Sequence, residues 1–119
     1  MQENMTTVVR IQRKNGKVVQ DYDVYIGRRC EQGGWNLPQS KWANPFPVEP
    51  PRTSEQQQAA VDKYRAWIHT QPQLLKDLLE LKGKRLGCWC KPLPCHGDVL
   101  AELANDQNSV VVSSHLVAD

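Results

Sequence analysis

The chain has 119 residues, 39% of them hydrophobic and 24% charged, with a net charge of +2 and a mean hydropathy of −0.61. That length supports one domain with its own core and excludes two ordinary ones, and no apolar stretch approaches the length of a membrane span. A net charge this small excludes a nucleic-acid role argued from charge alone.

The first third reads as β. In TTVVRIQRKNGKVVQ, residues 6–20, two β-branched runs flank Asn15-Gly16, and both turn positions suit the positive φ angles of a type I′ hairpin. A second apolar run, Tyr22 to Gly27, predicts a buried strand that ends in Gly27-Arg28-Arg29.

Residues 33–51, GGWNLPQSKWANPFPVEPP, carry five prolines and two tryptophans without a regular period. A connection of that length in a small domain is either a functional loop or a disordered one, and Trp35, Trp42 and Phe46 favour order. The loop then either lids the core with its aromatics or presents Ser40, Lys41 and Asn44 to a ligand.

Helix signals follow. Thr53 with Gln56 makes a capping box, and Ala60, Val61, Tyr64, Trp67 and Ile68 form one apolar stripe, with Arg65 beside it. A second helix opens at Thr70 to Pro72, carries Leu74, Leu75, Leu78, Leu79 and Leu81 into the core, and stops at Gly83. Arg85 to Cys90 predicts a short strand, and Cys95 to Ala104 a helix that buries Val99, Leu100 and Leu103. The tail, residues 105–119, reads as an edge strand or a frayed end.

The two helices supply the crossover that parallel strands need, so Tyr22–Gly27 should pair in parallel with Arg85–Cys90. Gly27-Arg28 and Cys88–Cys90 then both lie at carboxyl ends, where open α/β sheets place their ligand crevice. The expected fold is a small single α/β domain over residues 1–119, with a short, partly parallel sheet, an N-terminal hairpin and about three helices.

Three of the four cysteines and one of the three histidines fall within residues 88–96. The N-terminal MQENMTTVVR lacks the basic-then-apolar pattern of a secretory signal, so a cytoplasmic address is expected. Thiols stay reduced there, which makes metal binding or reactivity the expected use of the cluster rather than a disulfide framework.

Cys88 and Cys90 project from one face of a strand, roughly 6–7 Å apart at Cα. One reading is a zinc site of Cys88, Cys90, Cys95 and His96, a donor set suited to that metal. A second is catalytic: Cys95 at a helix N-terminus has its thiolate stabilised, His96 or a basic loop residue adds to the effect, and Asp98 orients an imidazole or satisfies helix amides. The third is packing, since cysteines often serve as small apolar residues.

Gly27-Arg28 after a strand suits an anion, with backbone approaching a phosphate that the guanidinium grips. The chain has no GxGxxG, P-loop, HExxH or GxSxG, so the common dinucleotide, NTPase, metalloprotease and hydrolase readings fail.

The ordered set VYIGR (24–28), LPQSKWANPF (37–46), DKYRAWI (62–68), LKGKRLGCWC (81–90) and PCHGDVLAELA (94–104) resembles an uncharacterised domain family of bacteria and their phages, classed as a domain of unknown function. The resemblance covers about residues 22–104 and leaves out Cys30 and the N-terminal hairpin. It implies a small α/β domain whose signature residues include Gly27, Arg28, Ser40, Lys41, Asn44, Pro45, Tyr64, Arg65, Cys88, Cys90, Cys95, His96 and Asp98. It implies no activity.

The expected function is binding of a small anionic molecule, a nucleotide or nucleotide derivative. Arg28, Lys41 and Arg65 would hold phosphate, Trp35 or Trp42 would stack a base, and Cys95 or His96 would supply chemistry. The alternative is a zinc-stabilised module that binds nucleic acid or a partner protein through its basic and aromatic loop. A phage accessory protein that only occupies a host partner is a third reading. No membrane partner is expected.

Overall fold

The structure, a computed structural model, describes residues 5–91 and 93–106. The elements run β1 (Thr7–Arg10), β2 (Val24–Tyr25), α1 (Ser54–Ile68), α2 (Pro72–Asp77), a 3-10 turn (Leu78–Leu81) and β3 (Arg85–Cys88), followed by α3 over residues 96–106. The three strands form one parallel sheet in the order β1-β3-β2. β3 is therefore central, with Val8 and Val24 flanking Leu86 in register, and Arg10 opposite Cys88.

The expected parallel pairing is present, with a shorter β2 than the apolar run suggested. Asp23 N–H and Ile26 N–H extend it by donating to Arg85 O and Gly87 O. The hairpin is minimal. Asn15 and Gly16 take φ values of +53° and +76°, and Lys14 and Lys17 exchange hydrogen bonds of 2.9 and 3.0 Å, but the arms pair no further. β1 instead spends its ladder on β3, so the sheet is wholly parallel.

α1 begins as expected: Thr53 Oγ1 accepts from Gln56 N–H while Gln56 Oε1 accepts from Thr53 N–H. Its stripe delivers Val61, Tyr64 and Ile68 to a core that also holds Ile26, Leu86, Val99 and Leu100. The second helix tightens into the 3-10 turn at Leu78. Leu78 and Leu81 enter the core, whereas Leu79, placed in it by the sequence pattern, is 59% exposed because the tighter turn swings it outward. Gly83 follows with φ +73°, the left-handed stop that a helix end favours.

Thr6 closes the base of the fold. Its hydroxyl donates to Leu81 O and accepts from Gly83 N–H, and its backbone exchanges two hydrogen bonds with the Asn105 amide. The expectation for the tail lies, beyond residue 106, outside the described residues. No described helix is long and apolar enough to cross a membrane.

Two glycines let elements approach closely. A Cβ on Gly97, in the first turn of α3, would sit 2.8 Å from Ile26 Cδ1, and one on Gly87 would sit 2.7 Å from Tyr22 Cγ. The Ile26 methyl can rotate away, but the buried Tyr22 ring is fixed near its own backbone. Gly87→Ala should therefore destabilise the domain by about 1–3 kcal/mol through overpacking. Urea unfolding checks this, and a loss below about 0.5 kcal/mol, the ordinary range of surface changes, would mean the ring yields freely.

Candidate functional site

The carboxyl ends of all three strands meet at one cleft of about 710 Å³. Arg10 enters it from the end of β1, Gly27 and Arg28 from the exit of β2, and Cys88, Trp89 and Cys90 from the exit of β3. The second half of the Pro-rich loop, Phe46 to Glu49, forms a wall, and Gln57, Ala60 and Val61 of α1 complete the lining beneath it. Five basic side chains, Arg10, Arg28, Arg29, Arg52 and Lys91, line the cleft against one carboxylate, Glu49. Arg29 is paired with Glu31 and Lys91 with Asp98; Arg10, Arg28 and Arg52 have no carboxylate partner among the described residues.

Arg28 is held in place by the loop. Its Nε and Nη2 donate to Asn44 O at 3.2 and 2.8 Å, which leaves other guanidinium N–H groups for a ligand. Asn44 in turn shapes the loop: Oδ1 accepts from Phe46 N–H at 2.8 Å and Nδ2 donates to Ala60 O at 3.4 Å. The hydroxyl of Tyr25 donates to Arg28 O and accepts from Trp89 Nε1 at 2.8 Å. That pair locks the β2 exit to the β3 exit.

The thiols lie on the cleft floor. β3 delivers Cys88, a turn closed by Leu93 N–H to Cys90 O reverses the chain, and Cys95 caps α3. Cys95 N–H donates to Asp98 Oδ2 at 3.1 Å, and Gly97 N–H donates to Cys95 Sγ at 3.3 Å. The sulfurs of Cys88, Cys90 and Cys95 lie within 4.8 Å of one another, a group that could hold a metal ion. Cys88 Sγ and Cys95 Sγ, both free thiols, are 2.6 Å apart. Cys30 is outside the group; its backbone pairs with Leu37.

One negative charge is shared unequally by the three. Hydrogen bonds from the Cys88 and Cys95 thiols pull Cys90 down to about 3, with the Arg28 guanidinium adding to the effect. Cys95 is pushed up, first by its hydrogen bond to Cys88 and then by Cys90 and burial, and Cys88 is pushed up chiefly by Cys90. The helix N-terminus therefore does not make Cys95 the thiolate. Its neighbours outweigh the helix, and the charge goes to half-buried Cys90, the sulfur with most access to the cleft.

His96 lies beside Cys95 but outside the three-sulfur group. Nε2 bonds Ile26 O at 2.8 Å, the ring packs edge-on against Tyr64 with centroids 4.9 Å apart, and Nδ1 lies 3.9 Å from Cys95 Sγ. Burial lowers its pKa, so the imidazole is held neutral. A four-ligand Cys3His set is thus not assembled, because no ring nitrogen joins the three sulfurs within 4.8 Å, although the Ile26 bond leaves Nδ1 free.

Other expected site residues are placed elsewhere. Lys41 is ion-paired with Asp77 and Glu80, and Arg65 with Glu102, all outside the cleft lining. Trp42 is buried in the core, where its carbonyl accepts from Tyr64 Oη at 2.8 Å. Ser40 fixes the loop, its N–H donating to Gly27 O and its Oγ accepting from Trp42 N–H. Trp35 packs edge-on against Trp89 at 5.1 Å, behind the lining. Asp98 is taken by Lys91 Nζ at 2.6 Å and Cys95 N–H.

Trp89, 36% exposed, is the tryptophan that faces the cleft, and sequence reasoning missed it along with Arg10, Arg52 and Lys91. A signal was present for Trp89: it alternates with Cys88 and Cys90 at the end of a strand whose carboxyl edge was already expected to carry the crevice.

Comparison with known proteins gives relatives without an assigned activity. The chain is 44% identical over 104 residues to "Uncharacterized protein R718" of Acanthamoeba polyphaga mimivirus, covering 81% of this chain and 77% of that protein. It is 64% identical over 25 residues to "Uncharacterized 12.4 kDa protein in nrdA-td intergenic region" of Enterobacteria phage T4, covering 21% of this chain and 23% of that one. No solved structure matches the chain. Residues 9–106 match a family model that takes in the end of β1, the other two strands and the whole cleft lining, and the chain belongs to that family, the Domain of unknown function (DUF4326).

Proposed function

We propose that the cleft binds a small anionic molecule of nucleotide size, a nucleotide or nucleotide derivative. The observation that carries this reading is the charge of the cleft: five basic side chains face one carboxylate, and three of the five lack an acidic partner among the described residues. Cations left unneutralised around a concave site cost self-repulsion, and an anion relieves it. The volume lies within the range of small-molecule sites, and the carboxyl edge of a parallel sheet is where such sites form. Trp89 and Phe46 offer aromatic faces for a base, and Arg10 and Arg28 stand at the strand ends for phosphate.

Calorimetry with ATP, ADP, AMP and inorganic phosphate tests the reading. At least one nucleotide should bind more tightly than phosphate alone. Arg28→Ala should raise its Kd about 10- to 100-fold, since a charge-assisted hydrogen bond contributes roughly 1.5–3 kcal/mol. Thermal unfolding of the same variant separates lost contact from a loosened loop. Absence of heat with all four compounds, or equal binding by wild type and Arg28→Ala, would remove the nucleotide reading or Arg28 from it respectively.

A further inference from the structure

We propose that Cys88, Cys90 and Cys95 form a zinc site that keeps one coordination position open toward the cleft. The donor set is the first ground. Three thiolates select a soft or borderline cation, and zinc takes them at about 2.3 Å in tetrahedral geometry. Two sulfurs on one tetrahedral zinc lie about 3.8 Å apart on that bond length. The three sulfurs here fall within 4.8 Å, so side-chain rotation that opens Cys88 from Cys95 by about 1 Å reaches it.

The count of donors is the second ground. The three sulfurs converge with no ring nitrogen of His96 in the group, so the protein gathers three ligands, the number found where zinc retains an exchangeable fourth. All three cysteines line the cleft, which makes the cleft side the direction of that fourth position. The third ground is the surroundings. Gly97 N–H already donates to Cys95 Sγ, the outer-shell contact that sulfur ligands favour, and the start of α3 faces the sulfurs. Zinc with three thiolates carries a net charge of −1, which the basic lining offsets.

Binding forms three S–Zn bonds and releases the protons of Cys88 and Cys95, the two protonated thiols, to solvent, with no redox change. The metal site rests on the sulfur geometry alone. A contact between the metal and the cleft anion rests in addition on the reading given under Proposed function.

Cobalt substitution of the reduced full chain tests both parts. One equivalent of Co²⁺ should produce a sulfur-to-cobalt charge-transfer band and the strong visible bands of a tetrahedral site, and Zn²⁺ should displace it. Cys90→Ser should weaken binding by more than the 10- to 100-fold typical of losing an outer-shell partner. Cys30→Ser should leave the spectrum unchanged. Azide should shift the visible bands by entering the open position.

No charge-transfer band in the folded wild-type protein, or a band undiminished in Cys90→Ser, would overturn the site. A full band unmoved by azide would overturn the open position in favour of a closed one. Because the wild-type spectrum is decisive, misfolding of a variant does not rescue the proposal. Since Co²⁺ and azide are the probes, failure here leaves the calorimetric test of the anion cleft standing, and the reverse also holds.

Discussion

Iodoacetamide should modify Cys90 of the reduced, metal-free protein at a rate nearly constant between about pH 5 and pH 8, while the same peptide in the urea-unfolded chain speeds up about tenfold per pH unit. The contrast across that range is about a thousandfold. The thiolate is the nucleophile, and Cys90 is held at about 3 by the hydrogen bonds of Cys88 and Cys95, so it is already ionised throughout. An unperturbed thiol of pKa about 8.5 is only about 0.3% ionised at pH 6.

The slope, not the absolute rate, carries the signal. Intrinsic nucleophilicity falls with pKa with a Brønsted coefficient of about 0.4–0.5, which over about 5.5 units removes roughly the same 300-fold that ionisation gains at pH 6. The two chains should therefore react at comparable speed near pH 6 and diverge on either side. Peptide mass spectrometry resolves Cys90 from Cys88 and Cys95, which are pushed up and buried and should remain unlabelled until the fold opens. A Cys90 rate rising tenfold per pH unit would dismiss the shared-charge arrangement. Added Zn²⁺ should suppress the labelling, since a coordinated sulfur no longer offers its lone pair.

The parts of this fold that could be read from sequence were those that local chemistry decides. The capping box at Thr53 and Gln56, the apolar stripe of α1 and the type I′ geometry of Asn15-Gly16 each depend on residues within four positions of one another. The β2–β3 pairing was legible one level up, because two intervening helices leave a parallel crossover as the economical connection. It brought Arg28, Asn44, Cys88 and Cys95 to one sheet edge, and the structure places all four on one cleft.

What could not be read was competition between distant groups. Lys41 and Arg65 look like free cations in sequence, yet each finds carboxylates 36 to 39 positions away, in Asp77, Glu80 and Glu102. Conversely, Arg10 and Arg52 look like ordinary surface charges until the fold sets both on the cleft with no carboxylate partner among the described residues. β1 was read as a hairpin arm because Asn15-Gly16 is a strong local signal. It pairs with β3 instead, 78 residues ahead at Thr7 and Arg85, where two flanking β-branched runs bury more than a solvent-facing hairpin could. The assignment of charge among the thiols was equally hidden. Helix-dipole reasoning favours Cys95, but the crowding of three sulfurs depends on the turn at residues 90–93 and has no sequence pattern of its own.

His96→Ala should be the most damaging single change near the site, and its cost should depend on pH in a defined direction. The variant removes the imidazole from Ile26 O and vacates the ring packed on Tyr64. A buried carbonyl left without its donor costs about 1–3 kcal/mol, and the vacated volume about 2 kcal/mol more, so a loss of about 3–5 kcal/mol is expected at pH 8. Burial depresses the folded-state pKa of His96 below its unfolded value of about 6.5. Below pH 6.5 the unfolded chain therefore takes up a proton that the folded chain refuses. The wild type loses stability as pH falls through that value, by up to about 1.4 kcal/mol per pH unit, until the folded-state pKa is reached. The variant has no such group, and subtracting its stability from the wild type's cancels the titrations common to both, Cys90 included. The gap between the two should be widest above pH 6.5 and narrow steadily below it. Urea unfolding with reductant and chelator, at half-unit steps from pH 8 to pH 5, measures the gap directly, and a gap constant over that range would show that the imidazole is not held neutral by burial.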